Sequence, residues 1–299
     1  MASTITELFG YDPKDQTQIA QLARAKLQCP FTLETCTKKL SDGTVSGVCT
    51  ISQLKKGPVI CCPVRLYAED YKILKDIADT AFGAGNELVA GNNVKRHIAR
   101  NTRKKFIAVF GKRWGKELRL PNRKAGGSGA YFVDWILAEI DTSGVLVSFV
   151  AVEIQSIDTT GNYRSERKSH MDGTHAGQST AGFNWENVNK RILPQIIYKG
   201  HVLRQEPLCQ KGLFFVCPTP VYEKIIERLG GKLNPIHMQS GAVTIRWYNI
   251  GTASAPGTIR SLVSGGQLTS TIDQVALAFT SPSNLPPPRV YEAAILAEL

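Results

Sequence analysis

Residues 131–155 read YFVDWILAEIDTSGVLVSFVAVEIQ and give the strongest signal for the architecture of the chain. Two β-rich runs, 131–140 and 145–157, are joined by the turn sequence DTSG, so the stretch predicts an antiparallel hairpin. The second run is almost wholly apolar until Glu153, which predicts a buried central strand. Because strands and helices interleave over residues 66–299, we expect an α/β fold with a mixed central sheet flanked by helices.

The hairpin carries three polar side chains, Asp134, Glu153 and Gln155, in the spacing Asp-x18-Glu-x-Gln. Glu153 and Gln155 share one face of their strand, and strand pairing brings Asp134 towards them. One carboxylate from each strand can bind Mg²⁺ and leave positions for phosphate and water, as in a nuclease. A carboxylate in an apolar strand is costly unless it is paired or coordinated, although a charge at a strand end can also simply reach water. The third position of such a motif is usually Lys, which stabilises negative charge, whereas Gln155 can position water but supplies no charge.

The positive charge of the chain is concentrated in one segment. The sequence has 36 Lys and Arg against 25 Asp and Glu, a net charge of +11. Residues 95–124 hold twelve of the basic side chains and one acid, Glu117, so the rest of the chain is neutral. This pattern favours a polyanionic partner, nucleic acid first. The basic residues of the segment are Lys95, Arg96, Arg100, Arg103, Lys104, Lys105, Lys112, Arg113, Lys116, Arg119, Arg123 and Lys124.

Five of the seven cysteines are clustered near the N-terminus: Cys29, Cys36, Cys49, Cys61 and Cys62. An odd number of cysteines in a reducing cytoplasm disfavours disulfides, so the cluster indicates a metal. Four thiolates make one closed tetrahedral site for zinc or iron, whose role is to hold together a segment too small for its own core. We choose Cys62 as the fourth ligand, with Cys61 as the alternative, because Cys62-Pro63 repeats the step Cys29-Pro30. The competing interpretation is that cysteine is a small buried hydrophobe, which suits Cys209 and Cys217.

These patterns divide the chain into an N-terminal segment with the metal module, residues 1–65, and a larger domain, residues 66–299. Apolar spacings of three and four predict an amphipathic helix over 66–82. Residues 160–182 are polar and rich in glycine, so we expect a functional loop there. Asn184 is predicted to cap a helix that kinks at Pro194. Further strands are expected at 212–217 and 242–250, and helices at 219–229 and 290–299.

Short segments in a fixed order carry a resemblance to a known family. They are Cys29-Pro-Phe, Glu34-Thr-Cys36, Ser46-Gly-Val-Cys49, Cys62-Pro-Val-Arg65, Lys116-Glu-Leu118, Val133-Asp-Trp135 with Leu137-Ala-Glu139, Val152-Glu-Ile-Gln155, Asp158 with Gly161-Asn-Tyr163, and Asn187-Val-Asn-Lys-Arg191. Residues 29–217 thereby resemble the NotI family of type II restriction endonucleases, whose fold is the restriction-endonuclease-like PD-(D/E)XK core with an appended four-cysteine iron site.

The resemblance implies a residue-level assignment. Asp134, Glu153 and Gln155 correspond to active-site residues, and Glu117 to a further carboxylate of the metal site. The four cysteines Cys29, Cys36, Cys49 and Cys62 correspond to iron ligands. The chain is shorter than the family pattern after Tyr163, and it has the extra Cys61.

The resemblance also implies an activity. We expect Mg²⁺-dependent hydrolysis of double-stranded DNA at a palindromic, GC-rich site, leaving 5′-phosphate and 3′-hydroxyl ends. Palindromes favour a homodimer, and a DNA methyltransferase of the same specificity is the expected partner in the cell. Candidate DNA contacts are Arg113, Arg164, Arg167, Lys168, Lys190 and Arg191, although these side chains could equally form an ordinary solvated surface.

Other classes of protein are weighed against this prediction. A non-catalytic, metal-stapled DNA-binding regulator would share the basic segment and the cysteines, but it gives no reason for the three polar residues of the hairpin. A thiol redox protein lacks the expected C-x-x-C pair. His170 and His175 could form a histidine nuclease site, but loop histidines near DNA are the simpler interpretation. No apolar run of eighteen residues or secretion signal is present, so we expect a cytoplasmic, prokaryotic protein without a membrane partner.

Overall fold

The computed structural model describes residues 3–53, 57–100, 104–112, 114–115, 117–120, 131–231, 233–252, 255–281, 285 and 287–299. The strands are β1 (Ser3–Leu8), β2 (Val48–Gln53), β3 (Pro58–Ile60), β4 (Glu87–Ala90), β5 (Phe106–Gly111), β6 (Arg119–Leu120), β7 (Tyr131–Phe132), β8 (Trp135–Ile140), β9 (Leu146–Ile154), β10 (Thr159–Thr160), β11 (Gly182–Phe183), β12 (Leu213–Pro218), β13 (Ala242–Ile250) and β14 (Leu262–Thr271). The helices are α1 (Gln18–Ala25), α2 (Ala68–Phe82), α3 (Val94–Ala99), α4 (Arg164–Met171), α5 (Leu193–Leu203), α6 (Thr219–Arg228), α7 (Ile272–Thr280) and α8 (Val290–Glu298).

A seven-stranded mixed sheet, in the order β14-β13-β12-β9-β8-β5-β4, forms the centre of the fold. Strand β9 is its middle strand, antiparallel to β8 and parallel to β12, and its residues from Val150 to Ile154 are buried. The predicted hairpin is therefore confirmed, with its turn closed by the Asp141 N–H, which donates to the Val145 carbonyl at 3.0 Å. The predictions of a buried central strand and a mixed sheet are also confirmed.

Side chains of alternate residues in the sheet enter two different hydrophobic cores. On one face Leu137, Val150 and Val152 pack in the same cluster as residues of α2 such as Ile77. On the other face Ala151 packs in the same cluster as residues of α5, α6 and α7. Helices thus flank the sheet on both sides, because strand side chains alternate between its faces.

The N-terminal residues form a small three-stranded antiparallel sheet, in the order β1-β2-β3. Ile5 and Ile51 of this sheet belong to the same hydrophobic cluster as the core beneath α5 and α6. A fully buried ion pair also joins β1 to the turn after the cysteines, since Arg65 Nε lies 2.8 Å from Glu7 Oε2. The N-terminal sheet therefore shares packing with the larger sheet, and the division into 1–65 and 66–299 stays a prediction.

Several expected elements differ in the structure. Residues 160–182 are not simply a loop, because they contain α4 and strand β11. Residues 3–8, which look like a polar lead, form β1. Asn184 does not cap the next helix; a π-helical turn at Val188–Ile192 leads into α5 instead. Asp134 lies immediately before β8 rather than inside a strand.

The described residues of the basic segment alternate between exposed and buried parts. It begins with exposed residues of α3, but β5 then runs through the central sheet with Phe106, Ile107, Ala108 and Val109 buried. Arg113, Lys116 and the residues 121–130 lie outside the described residues. No helix in the described part of the chain is both long and apolar enough to cross a membrane.

Candidate active site

The two carboxylates of the hairpin meet at one end of the central sheet. Asp134 accepts a 2.7 Å hydrogen bond at Oδ2 from the N–H of Ile154, the residue next to Glu153. Burial, and then the negative charge of Glu153, raise the pKa of Asp134 to about 7, and Glu117 adds to the rise. A divalent cation between them would relieve this repulsion, because a nearby positive charge favours the ionised form of a carboxyl group.

Glu153 is positioned by the strand in which it lies. Its side chain is 7% exposed, and β12 holds its backbone through the parallel pairing of Phe215 with Glu153. Among the described residues, Oε2 of Glu153 accepts no hydrogen bond, although Lys199 Nζ lies 2.6 Å from it. The expectation that Glu153 simply reaches water does not fit this burial.

Gln155 follows β9 and lies beside Glu153, as the strand alternation predicts. Its Nε2 donates to Glu153 Oε1 at 3.1 Å and to Gln195 Oε1 at 2.5 Å. Its backbone N–H donates to the Val216 carbonyl at 2.9 Å, which continues the pairing of β9 with β12. The amide is thus held at the edge of the carboxylate pair.

Helix α5 contributes two residues that the sequence analysis missed. Gln195 and Lys199 are four residues apart, so they lie one above the other on the same face of the helix. Both reach the end of β9, where Gln195 contacts Gln155 and Lys199 contacts Glu153. The polar pair at i and i+4 was a signal available in the sequence, but the sequence does not show which face of α5 meets the sheet.

Asp134, Glu153 and Gln155 line a cavity of about 220 Å³ that is open to the surface, whereas Gln195 and Lys199 contact two of these side chains from outside its lining. Asp158, Asn187 and Arg191 form its outer side, where Asp158 Oδ2 accepts hydrogen bonds from Asn187 Nδ2 at 2.7 Å and Arg191 Nη1 at 2.8 Å. The carboxylates lie deeper than this exposed cluster. The cavity therefore combines acidic groups inside with hydrogen-bond donors at its mouth.

Four of the clustered cysteines interact with one another. Burial raises the pKa of Cys49 well above its ordinary value, and Cys62, Glu7 and Cys29 add to the rise. Burial likewise raises the pKa of Cys62 to about 12, with Lys38 opposing and Cys61 and Cys36 adding. Cys36 also adds to the raised pKa of Cys29, whose first cause is burial. The thiols of Cys29, Cys36, Cys62 and Cys49 therefore form an electrostatic ring, in which each acts on two of the others. No group of three or more Cys, His, Asp or Glu in the described ranges is arranged to hold a metal ion.

Cys61 points to different partners. Lys38 Nζ lies 3.3 Å from Cys61 Sγ and donates to the Cys61 carbonyl at 2.8 Å. Cys61 packs in the hydrophobic cluster beneath α5 and α6, whereas Cys29 and Cys49 pack in the other. This arrangement favours Cys62 over Cys61 as a fourth ligand. Cys209 and Cys217 are fully buried in the core.

The candidate DNA contacts differ in how free their side chains are. Lys190 is exposed, Arg191 pairs with Asp158, and Lys168 pairs with Asp172 at 2.7 Å. Arg164 lies 3.5 Å from Asp42 in the segment between α1 and β2. Arg167 Nε donates to the Ser46 carbonyl at 2.7 Å, so it also contacts that segment. Arg113 lies outside the described residues.

The two histidines form a pair in which His170 is buried and His175, in the loop after α4, is half-buried. His170, in the last turn of α4, is 7% exposed, and its Nδ1 lies 2.8 Å from Nδ1 of His175. His170 Nε2 lies 3.6 Å from Glu166, which in turn accepts a hydrogen bond from the Ile5 N–H. The cluster thus connects α4 to β1.

Comparison with known families agrees with the geometry of the hairpin. The family model described as "Restriction endonuclease NotI" matches residues 15–222, more than half of the chain. The chain belongs to the NotI family of restriction endonucleases. It is therefore a type II, site-specific deoxyribonuclease, and membership of the NotI family decides against the non-catalytic regulator. The match includes the cysteine cluster, the hairpin and α5. No curated protein matches the sequence.

Proposed function

We propose that this NotI-family enzyme hydrolyses double-stranded DNA with Mg²⁺ bound by Asp134 and Glu153. The observation that carries the proposal is the placement of Asp134 and Glu153 in one open cavity at the end of the sheet, where burial and then Glu153 raise the pKa of Asp134. Hard carboxylate oxygens are the ligands that Mg²⁺ prefers. Glu117 is exposed and close enough to act on Asp134, so it can supply a further carboxylate.

The residues divide the chemistry between them. Bound Mg²⁺ would polarise the scissile phosphate and lower the pKa of the attacking water. The Ile154 N–H orients Asp134, and the Gln155 amide, fixed by Gln195, can hold that water by a hydrogen bond. In-line attack at phosphorus would leave 5′-phosphate and 3′-hydroxyl ends.

The basic residues place the substrate. Arg191 lines the cavity, Lys190 is the exposed residue before it, and both are suited to backbone phosphates; Arg164 and Lys168 are further candidates. A GC-rich site would be read by Arg or Lys paired with guanine O6 and N7 in the major groove. One active site cuts one strand, so we infer a two-fold homodimer that cuts both strands of a palindrome. A DNA methyltransferase of the same specificity would protect the host DNA.

We also propose that the ring of four thiols closes around one metal ion, although the described residues are not already arranged as a site of three or more ligands. Cys29, Cys36, Cys49 and Cys62 would bind iron, with zinc as the alternative, since both accept four thiolates. The metal would connect residues between β1 and β2 to the turn that carries Arg65.

A cleavage assay tests the proposed function. Long duplex DNA of high GC content is incubated with the protein, with and without Mg²⁺, beside the variant Asp134→Ala. We expect discrete fragments only when wild-type protein and Mg²⁺ are both present. Sequencing of the fragment ends gives the site, the stagger and the end chemistry. Cleavage by Asp134→Ala at the wild-type rate would show that the site is wrongly assigned.

A further inference from the structure

Lys199 contacts the carboxylate pair from helix α5, although it lies far from the motif in sequence. Its side chain is 12% exposed, and its Nζ is 2.6 Å from Oε2 of Glu153, whose side chain is 7% exposed. The Lys199 charge also acts on Asp134, where it opposes the rise in pKa. The same ammonium group therefore pairs with Glu153 and acts electrostatically on Asp134.

Gln155 cannot supply this charge. Its neutral amide contacts Oε1 of Glu153 at 3.1 Å, while Lys199 contacts the other oxygen of the same carboxylate. The Gln155 amide and the Lys199 ammonium group therefore flank Glu153 from two elements, the end of β9 and the face of α5. A lysine at position 155 would reach the same carboxylate that Lys199 reaches now.

The fold holds α5 so that this contact is maintained. Leu193, Ile196 and Leu203 anchor the helix in the core. Gly200, the next residue after Lys199, lies against Ile272 of α7, where an added Cβ would come within 2.2 Å of the Ile272 side chain. This close approach of α5 and α7 fixes the rotation of the helix, and Gln195 on the same face binds Gln155.

We propose that Lys199 is the positioning residue that supplies the active site with the positive charge absent at position 155. It acts through Glu153, by keeping the carboxylate directed into the cavity and by offsetting the negative charge of the pair when a phosphate enters. Preorganised charge of this kind acts strongly in a site that excludes water. The inference rests on the proposed function, since it assumes that Asp134 and Glu153 form the cleavage site.

The test compares the single-turnover cleavage rates of wild type and variants. The substrate is a short duplex that carries the site found by the cleavage assay. Lys199→Met should lower the cleavage rate at saturating DNA by about 10²-fold or more. DNA affinity measured with Ca²⁺ in place of Mg²⁺ should change less than about threefold, because Lys199 is not a phosphate clamp. The double variant Gln155→Lys with Lys199→Met should recover at least about tenfold of the loss. Lys224→Met, which breaks an exposed ion pair with Glu227 on α6, is the matched control and should cleave at the wild-type rate.

The outcomes separate the two proposals. If wild type cleaves no duplex with Mg²⁺, or if Asp134→Ala cleaves normally, the proposed function fails and the inference fails with it. If Asp134→Ala is inactive but Lys199→Met cleaves at the wild-type rate, the inference alone is overturned. A purely structural role of Lys199 would give a different pattern. Lys199→Met would then lose cleavage activity and have a lowered melting temperature, and neither Lys199→Arg nor the double variant would recover the activity. This result would also overturn the inference.

Discussion

Asp134 has a pKa of about 7, raised by burial and then by Glu153. An unperturbed aspartate titrates near 4, so between about pH 4 and pH 7 the native state holds a proton that the unfolded chain has lost. Stability of the metal-free protein should therefore fall as the pH rises through this interval.

Asp134→Asn removes the charge and keeps an acceptor for the Ile154 N–H. We expect it to be more stable than wild type at pH 8 in EDTA, by on the order of 2 kcal/mol, and no more stable at pH 4. Urea unfolding at both values measures the difference.

The control for this variant is an exposed aspartate. Asp273 on α7 is 63% exposed and pairs with Arg204, so Asp273→Asn should show no gain at pH 8. Saturating Mg²⁺ should reverse the order of wild type and Asp134→Asn, because the cation stabilises the folded state that binds it. An equal stability of both proteins at pH 8 in EDTA would mean that Asp134 is not repelled by Glu153.

A second residue-scale prediction distinguishes the two adjacent cysteines. Cys62→Ser should lose the bound iron or zinc because Cys62 lies in the ring with Cys36 and Cys49, whereas Cys61→Ser should retain it because Cys61 faces Lys38. Metal content of the purified proteins by mass spectrometry measures this. Cys217→Ser, a buried core substitution, controls for loss of metal through destabilisation. Retention of metal by Cys62→Ser with loss in Cys61→Ser would exchange the two assignments, and no metal in wild type would remove the site.

At the level of elements, the sequence predicted those helices and strands that have one apolar face, because such elements leave a strong local pattern. The hairpin, β13 and α6 follow from alternation, turn residues and a proline at the first turn. Helix α4 gave no such signal, because its buried side chains are the polar Glu166, Ser169 and His170. For the site, the sequence predicted Asp134, Glu153 and Gln155, whose proximity follows from one hairpin. Gln195 and Lys199 reach them only through tertiary packing of α5, which no local pattern encodes.

A prediction at the element scale concerns the buried ion pair between β1 and the turn at Arg65. Glu7 accepts from Arg65 at both oxygens, at 2.8 and 3.0 Å, and both side chains are fully buried. Glu7→Gln should therefore destabilise the protein by about 3–5 kcal/mol, because it leaves the Arg65 charge unpaired in the core. Urea unfolding in the presence of Mg²⁺ measures the loss.

Two further variants make this measurement specific. Replacing both partners, as in Glu7→Leu with Arg65→Met, should recover much of the loss, since no lone charge remains. Lys224→Met, at an exposed pair, should change stability by less than about 0.5 kcal/mol. A double variant as unstable as Glu7→Gln would show that the pair itself, rather than the unpaired charge, stabilises the junction.

At the scale of the whole molecule, the net charge of +11 should set the salt dependence of DNA binding. All of the net excess lies in residues 95–124, and Lys95, Arg96 and Arg100 are exposed at and beyond α3. Each phosphate that a basic side chain neutralises contributes about −0.9 to the slope of log affinity against log salt. Replacing these three residues by Gln should therefore make the slope shallower by about 2–3 and weaken binding to all duplex sequences.

Fluorescence anisotropy in the presence of Ca²⁺ measures the affinity and the slope. Salt is varied between about 50 and 300 mM, where the release of counterions from DNA weakens binding. A triple variant of Lys72, Lys75 and Lys224, which removes the same charge from α2 and α6, should leave the slope nearly unchanged. If both triple variants shift the slope equally, net charge rather than the position of the basic segment draws DNA to the enzyme.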